Sequence, residues 1–153
     1  MPQNHFHRTA AWLHACGKKK GDVADLSVQI GCDMEEFIEW LKCLHLDEQR
    51  EGEQLQKAIG YLESVAIAAK RRKVEVRIKP HRRIDALDAL CDREVTGNGV
   101  AYLAGFDKDS ADEAVLESND DKLVDGKPIL LEGGKIGKPE GWSPPDLSRF
   151  IGN

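Results

Sequence analysis

This chain of 153 residues is long enough to form one domain with a sizeable buried core. Charged residues make up 32% of it and aromatic residues 6%, a composition typical of a soluble, mainly helical protein. The net charge of −5 is unevenly divided: residues 1–83 carry 15 basic and 12 acidic side chains, and residues 84–153 carry 7 and 15. A general nucleic-acid binder would show a dominant positive field, so nucleic acid is not an expected partner.

The cysteines and the apolar segments predict a cytoplasmic protein. The four cysteines show no CxxC spacing and no obvious pairing, which indicates reduced thiols. The N-terminus lacks a long apolar core, and no apolar run approaches membrane-spanning length. Neither secretion nor a membrane partner is therefore expected.

Helical periodicity begins near the N-terminus. The pattern predicts a short helix over residues 5–16 and a longer one that begins after Asp22, a suitable N-cap residue. Gly31 is the weak point of this second helix. With Asp33 available as a fresh N-cap, the helix could break at Gly31 and restart.

The pattern predicts three further helices, over about residues 48–70, 82–104 and 109–117. Residues 73–79 alternate strictly between polar and apolar, which is compatible with a strand or with an extended connector. Glycines and prolines exclude long helices beyond residue 117, although residues 129–136 are compatible with a small β-hairpin. We expect an all-α fold: one domain over 1–153, with a bundle of about four to five helices in 1–117 and an irregular extension in 118–153.

The aromatic residues fit this arrangement. Trp12, Phe37 and Trp40 have the helical spacing of core residues, and stacking of one of them on a nucleobase is the alternative. Trp142 stands in the glycine- and proline-rich tail, where a lid or a subunit contact is the preferred interpretation.

The most informative feature is a pair of carboxylate clusters within predicted helices, formed by Glu35, Glu36 and Glu39 in the second helix and by Asp85, Asp88 and Asp92 in the fourth. Spacings of three and four residues place acids on one helical face, where they repel each other. Aspartate is also a poor residue for the middle of a helix. The simplest explanation is a solvated face, but two such stripes together favour a cation bound between them.

Magnesium fits this set of ligands best. It prefers hard oxygen ligands shared with waters and phosphates, and no histidine or cysteine stands at ligand spacing. The four carboxylates that would hold the ion are Glu36, Glu39, Asp88 and Asp92. Glu35 could reach a second metal or orient a water. Phosphoanhydride cleavage is the chemistry that this arrangement would serve. A di-iron carboxylate site is disfavoured because no ExxH pair accompanies either cluster.

Several motifs resemble those of the all-α nucleoside triphosphate pyrophosphohydrolases, the MazG-like and phosphoribosyl-ATP pyrophosphohydrolase superfamily, and especially small members often carried by bacteriophages. The EExxE motif matches residues 35–39, and the nearest match to ExxD begins at Asp85 in a DALxD arrangement. The C-terminal part carries the more specific matches, which are SNxxK at 118–122, DGKPI at 125–129, GKxxKP at 134–139 and PPDL at 144–147.

The resemblance implies hydrolysis of the bond between the α- and β-phosphates of a nucleoside triphosphate, giving a monophosphate and pyrophosphate. Mg²⁺, with Mn²⁺ as a substitute, would bind Glu36, Glu39, Asp88 and Asp92, with Asp85 as a further candidate. Glu35 and Glu36 would be catalytic, Glu35 by orienting or deprotonating the attacking water. Phosphate or substrate contacts would come from Asn119, Lys122, Lys135 and Lys138.

The resemblance also implies a homodimer or homotetramer, in the host cytoplasm if the chain is phage-encoded. The chain departs from the family pattern in two ways. A segment of about residues 46–80 is inserted between the acidic motifs, and Asp85 stands where ExxD has glutamate. Whether Asp85 and Asp88, or Asp88 and Asp92, would bind the metal stays open. A non-catalytic protein of the same fold that binds a nucleotide or a partner is the alternative function.

Overall fold

The computed structural model describes residues 4–131 and 136–152, and within them the chain is mainly helical. Five α-helices follow one another in this part of the chain: α1 His5–Ala15, α2 Val23–Lys42, α3 Gln49–Lys70, α4 Arg83–Leu103 and α5 Lys108–Asp120. The expected all-α class is confirmed. None of the described helices combines the length and the apolar character needed to cross a membrane.

The chain divides into two compact units. One, which we call the α2–α3 unit, comprises Lys19–Lys79, and the other, the terminal unit, comprises Met1–Lys18 together with Pro80–Asn153. The division follows local packing, because α2 and α3 form the most extensive helix pair of the chain. The expected single domain with an insert at about residues 46–80 stays a prediction.

In the α2–α3 unit, two helices pack along their apolar faces. The side chain of Asp22 accepts a hydrogen bond from the backbone N–H of Asp25 at 2.8 Å, which confirms it as the N-cap. Ile38 on α2 and Ile59 and Ala66 on α3 form the buried centre of the unit.

Helix α2 runs without a break past Gly31, so the alternative of two separate helices is wrong. Gly31 is buried where α2 crosses α3, and a Cβ atom placed on it would lie 2.9 Å from Cγ and 3.0 Å from the backbone nitrogen of Lys70. The glycine is therefore a contact point between two helices rather than a helix break.

The alternating segment 73–79 forms no strand: it begins with a bend and continues as an irregular connector. The buried hydroxyl of Ser27 accepts a hydrogen bond from the N–H of Val76 at 2.8 Å and donates one to the carbonyl of Val74 at 3.3 Å. The hydroxyl of a helix residue, rather than a neighbouring strand, thus satisfies these two backbone groups.

In the terminal unit, α5 packs against α1 and against the C-terminal end of α4. Arg8 of α1 forms ion pairs with two acids of α5, Glu113 and, at 3.0 Å, Asp120. Near the C-terminus, the carbonyl of Phe150 accepts a hydrogen bond from the N–H of Asp107, the residue that precedes α5. The extension is thereby tied back to the start of this helix.

A short hairpin stands at the start of the extension. Strands β1 Leu123–Val124 and β2 Lys127–Pro128 pair in antiparallel fashion around Asp125 and Gly126, both of which have positive φ. Asp-Gly is the sequence that a two-residue turn of this kind favours. The hairpin expected at 129–136 is represented by a bridge between Leu130 and Ile136, and residues 132–135 of that expectation lie outside the described part of the chain.

None of the four cysteines forms a disulfide bond, and they differ in accessibility, which predicts an order of thiol reactivity. Burial raises the pKa of the Cys16 thiol, whereas Cys43 and Cys91 are exposed. Because the thiolate is the reactive form, we expect Cys43 to react quickly with an aromatic disulfide reagent and Cys16 to react only after denaturation. Mass spectrometry of the labelled peptides checks this order, and fast labelling of native Cys16 would contradict it.

Candidate functional site

The EExxE cluster lies on the second half of α2. Glu36 and Glu39 are three residues apart, so their side chains leave the helix within about 60° of each other. Glu35 lies about 100° around the helix and forms an ion pair with Lys70 of α3. The carboxylate expected to act on water is thus held toward the neighbouring helix by a cation.

A second lysine lies in the electrostatic field of this cluster. The ammonium group of Lys42 lies 2.6 Å from a carboxylate oxygen of Glu63 on α3, and this hydrogen bond is the main cause that raises the pKa of Lys42. The charges of Glu39 and Glu35 act in the same direction. The acids of α2 and α3 therefore create a negative potential that two lysines partly balance.

Two exposed aromatic rings lie within and directly after the acidic cluster of α2. Phe37 and Trp40 are 40% and 43% exposed, with ring centroids 5.7 Å apart. Their expected place in the core is therefore wrong: the core side of α2 is occupied by Ile38. Trp40 lies one turn beyond Glu36, so an aromatic surface adjoins a predicted metal ligand.

The second acidic cluster lies on α4, in the terminal unit. Asp85, Asp88 and Asp92 are all exposed, as expected for either a solvated face or a cation site. A carboxylate oxygen of Asp85 lies 2.7 Å from the guanidinium of Arg82, just before the helix. Whether Asp85 and Asp88, or Asp88 and Asp92, would bind a metal stays a prediction.

The two acidic clusters belong to different compact units, the first to the α2–α3 unit and the second to the terminal unit. Across residues 4–131 and 136–152, no three side chains of histidine, cysteine, aspartate or glutamate gather as a potential metal-binding group. The available donors are carboxylate oxygens, which suit magnesium chemically. Each unit by itself thus offers part of the expected set of ligands.

The predicted substrate residues give a clearer spatial result. Lys122 and Lys138 both place their ammonium groups over the ring of Trp142, at 5.0 and 4.5 Å from its centroid. Lys122 also donates a hydrogen bond of 2.8 Å to the side-chain oxygen of Asn119. Three predicted residues from two separate motifs therefore meet at one aromatic ring, and we call Asn119, Lys122, Lys138 and Trp142 the lysine–tryptophan cluster. The fourth, Lys135, lies outside the described residues.

Two indole groups fix the helix end on which this cluster stands. The indole N–H of Trp142 donates to the carbonyl of Ser118 at 2.9 Å, and that of Trp12 donates to the carbonyl of Asn119 at 2.8 Å. The last carbonyls of an α-helix lack partners within the helix, so these bonds stabilise the end of α5. They also hold the ring of Trp142 in place.

Sequence reasoning missed the position of Trp142 and the ion pairs of Glu35 and Asp85. The signal for Trp142 was its place four residues after Lys138 in a segment with glycine and proline on both sides. No local pattern connects Lys70 with Glu35, which are 35 residues apart in the chain. Only the packing of α2 on α3 reveals this pair.

The α2–α3 unit also contains a cavity of about 340 Å³ beside the first turns of α2. It is lined by residues of α2 and of the chain after α3, among them Ser27, Arg72 and Glu75. None of the predicted site residues lines it. Arg72, one of its two basic side chains together with Lys73, lies 3.5 Å from a carboxylate oxygen of Asp25.

Comparison with known proteins adds no relative to this description. No protein-family model, curated protein or solved structure matches the chain.

Proposed function

We propose that this protein is a magnesium-dependent nucleoside triphosphate pyrophosphohydrolase that cleaves the α–β phosphoanhydride bond. The observation that carries the proposal is the lysine–tryptophan cluster. In it, residues of two separate motifs that resemble this enzyme class, SNxxK and GKxxKP, lie around one aromatic ring. Two ammonium groups beside an amide provide cationic and polar contacts for phosphate oxygens.

The acids of α2 and α4 supply the metal-binding part of the proposal. Glu36 and Glu39 would hold Mg²⁺ together with Asp88 and Asp92, and Mn²⁺ would substitute for it. When bound, the ion neutralises phosphate charge and acidifies an attacking water. Glu35 would orient or deprotonate that water, which requires the carboxylate to leave its ion pair with Lys70.

The exposed rings of α2 support a nucleotide as the substrate. Phe37 and Trp40 offer apolar surface next to Glu36, and an aromatic ring can stack on any nucleobase. This contact carries no information on the identity of the base. The substrate class is therefore a nucleoside triphosphate with either sugar.

Product analysis tests the reaction. A panel of ribo- and deoxyribonucleoside triphosphates with Mg²⁺ is expected to yield monophosphate and pyrophosphate, separated by anion-exchange chromatography. Orthophosphate with diphosphate would show cleavage of the other anhydride bond and would contradict the proposal.

A non-catalytic nucleotide- or partner-binding protein is the second candidate function. It is favoured by the ion pairs of Glu35 with Lys70 and of Asp85 with Arg82, which already neutralise two of the predicted carboxylates. Nucleotide binding in calorimetry without turnover in Mg²⁺ or Mn²⁺ would establish it.

We also propose that the chain works as a homodimer or homotetramer in the cytoplasm. Helix α4 carries an apolar stripe on one face, formed by Ile84, Leu87, Cys91, Val95 and Tyr102 at helical spacing. Four of its side chains are 65–85% exposed. Contiguous exposed apolar surface of this kind marks an interaction site, and a second copy of the chain is the proposed partner.

Charge placed on this stripe is expected to dissociate the oligomer. Leu87→Lys or Val95→Lys would put an ammonium group into an apolar contact, whereas Ala89→Lys adds the same charge on another, exposed face of α4. Sedimentation equilibrium is expected to give a multiple of the 17.0 kDa chain mass for the wild type and for Ala89→Lys, and the chain mass itself for the stripe variants. A wild-type protein at the chain mass would contradict self-association.

A further inference from the structure

The ring of Trp142 contacts two lysines that come from different segments of the chain. Lys122 follows α5, and Lys138 lies in the irregular extension. Because both ammonium groups lie within 5.0 Å of one ring centroid, they are less than about 10 Å apart. Two like charges this close repel each other, and the negative face of the indole ring offsets part of that repulsion.

The ring is fixed independently of the lysines. Its N–H donates to the carbonyl of Ser118, a residue only 8% exposed, and the backbone N–H of Trp142 donates to the carbonyl of Pro139 at 3.1 Å. The second of these bonds closes a turn that begins directly after Lys138. The positions of the ring and of Lys138 are therefore coupled through a few residues of backbone.

Lys122 is held from the other side. Its ammonium group donates to Asn119 in the last turn of α5, where the helix dipole favours a cation. The arrangement thus holds the ammonium group of Lys122 at the end of α5 and within 5.0 Å of the centroid of the Trp142 ring.

We propose that Trp142 is a positioning residue of a polyphosphate-binding site. Its ring keeps Lys122 and Lys138 together as paired donors, and a chain of phosphates bridges the two ammonium groups. The ligand class is a linear polyphosphate, either inorganic or the phosphate tail of a nucleotide. The identity of a nucleotide ligand rests on the proposed function, but the binding of a phosphate chain by this cluster does not.

Titration with sodium tripolyphosphate in the absence of divalent cations tests the site. Binding is measured by calorimetry at constant ionic strength and by tryptophan fluorescence, with Trp142→Phe identifying the contribution of this indole to the signal. We expect a saturable fluorescence change in the wild type. Lys138→Gln is expected to weaken binding about tenfold and Lys138→Arg to restore most of it, because the charge is retained.

Two comparisons separate a positioning role from a general loss of charge or structure. Lys127→Gln removes the same charge from an exposed position on β2 and is expected to leave the affinity within about twofold. Trp142→Leu removes the ring and is expected to weaken binding about fivefold, whereas Trp142→Phe keeps an aromatic face and should retain more of the affinity. Circular dichroism confirms folding, and if Trp142→Leu does not fold, Trp142→Phe and the lysine variants decide the result.

Absence of saturable tripolyphosphate binding would overturn the inference, as would equal losses in Lys138→Gln and Lys127→Gln. Wild-type affinity in Trp142→Leu would overturn the role of the ring. These outcomes differ from failure of the proposed function, because the titration involves no turnover. Polyphosphate binding that depends on Trp142, without pyrophosphate release, would contradict the proposed function and leave this inference intact. Turnover with an unchanged KM in Lys138→Gln would contradict this inference and leave the proposed function intact.

Discussion

The Glu36→Gln variant is expected to release pyrophosphate at least about 100-fold more slowly than the wild type, and Asp88→Asn is expected to do the same. Each substitution keeps the shape of the side chain but removes an anionic oxygen that Mg²⁺ would use as a ligand. The ion supplies several kcal/mol of charge stabilisation, and about 1.4 kcal/mol corresponds to a tenfold change in rate. Steady-state assays of pyrophosphate release measure the effect.

Matched variants control for the loss of charge alone. Glu51→Gln on α3 and Glu94→Gln on α4 remove exposed carboxylates from the same two units and should leave the rate within about twofold. Full activity in Glu36→Gln and Asp88→Asn would show that these acids form a solvated face. The metal-binding role would then be wrong even if the enzyme were active.

The largest stability effect is expected at Gly31. In Gly31→Ala the new methyl group would meet Cγ and the backbone nitrogen of Lys70 and the carbonyl oxygen of Ala66, at 2.9 to 3.0 Å. Backbone atoms of α3 cannot rotate away, so the two helices must separate. Overpacking of this kind costs about 1–3 kcal/mol, which exceeds the gain of about 1 kcal/mol from replacing a helical glycine. We expect a net loss of stability, measured by urea denaturation.

Gly60→Ala on α3 is the matched control. Nothing lies within 4 Å of a Cβ atom added there, so only the favourable change in helix propensity remains. This variant should gain about 0.5–1 kcal/mol. If Gly31→Ala were as stable as Gly60→Ala, the close contact between α2 and α3 would be wrong. Because Lys70 also pairs with Glu35, the Gly31 variant is expected to disturb the acidic cluster as well.

The helices could be predicted from the sequence because their signals are local. Apolar spacing and the cap at Asp22 located α2, and similar periodicity located the other four helices within a few residues. The role of Gly31 could not be predicted from its sequence neighbours. A glycine that breaks a helix and one that admits a neighbouring helix look alike in sequence, since only the second helix distinguishes them.

The extension shows a second kind of limit. The hairpin was expected over residues 129–136, whereas the paired strands stand at 123–128 around Asp125 and Gly126, with only two residues in each strand. Asp-Gly favours such a turn, but strands this short leave almost no alternation to detect in the sequence. The lysine–tryptophan cluster has no local signal at all, because Lys122 and Trp142 are brought together by the hydrogen bond from an indole to a helix end. Motif resemblance predicted the lysines as substrate contacts, and the structure shows that both lie over one aromatic ring.

The acidic clusters were predictable as patterns but not as a site. Helical spacing places Glu36 and Glu39 on one face, and the structure agrees. Glu35 pairs with Lys70 through the packing of α2 on α3, and Asp85 pairs with Arg82, which stands just before α4. Neither pair follows from the helical spacing of the acids. The binding of Mg²⁺ by Glu36, Glu39, Asp88 and Asp92 stays a prediction.

Hydrolysis of a nucleoside triphosphate in ¹⁸O-labelled water, with Mg²⁺, tests the central claim most directly. Attack of water on the α-phosphorus predicts one ¹⁸O atom in the monophosphate and none in the pyrophosphate, as read by mass spectrometry of the separated products. Label in the pyrophosphate would place the attack on the β-phosphorus. Label in orthophosphate, formed together with a diphosphate, would contradict pyrophosphohydrolase activity altogether.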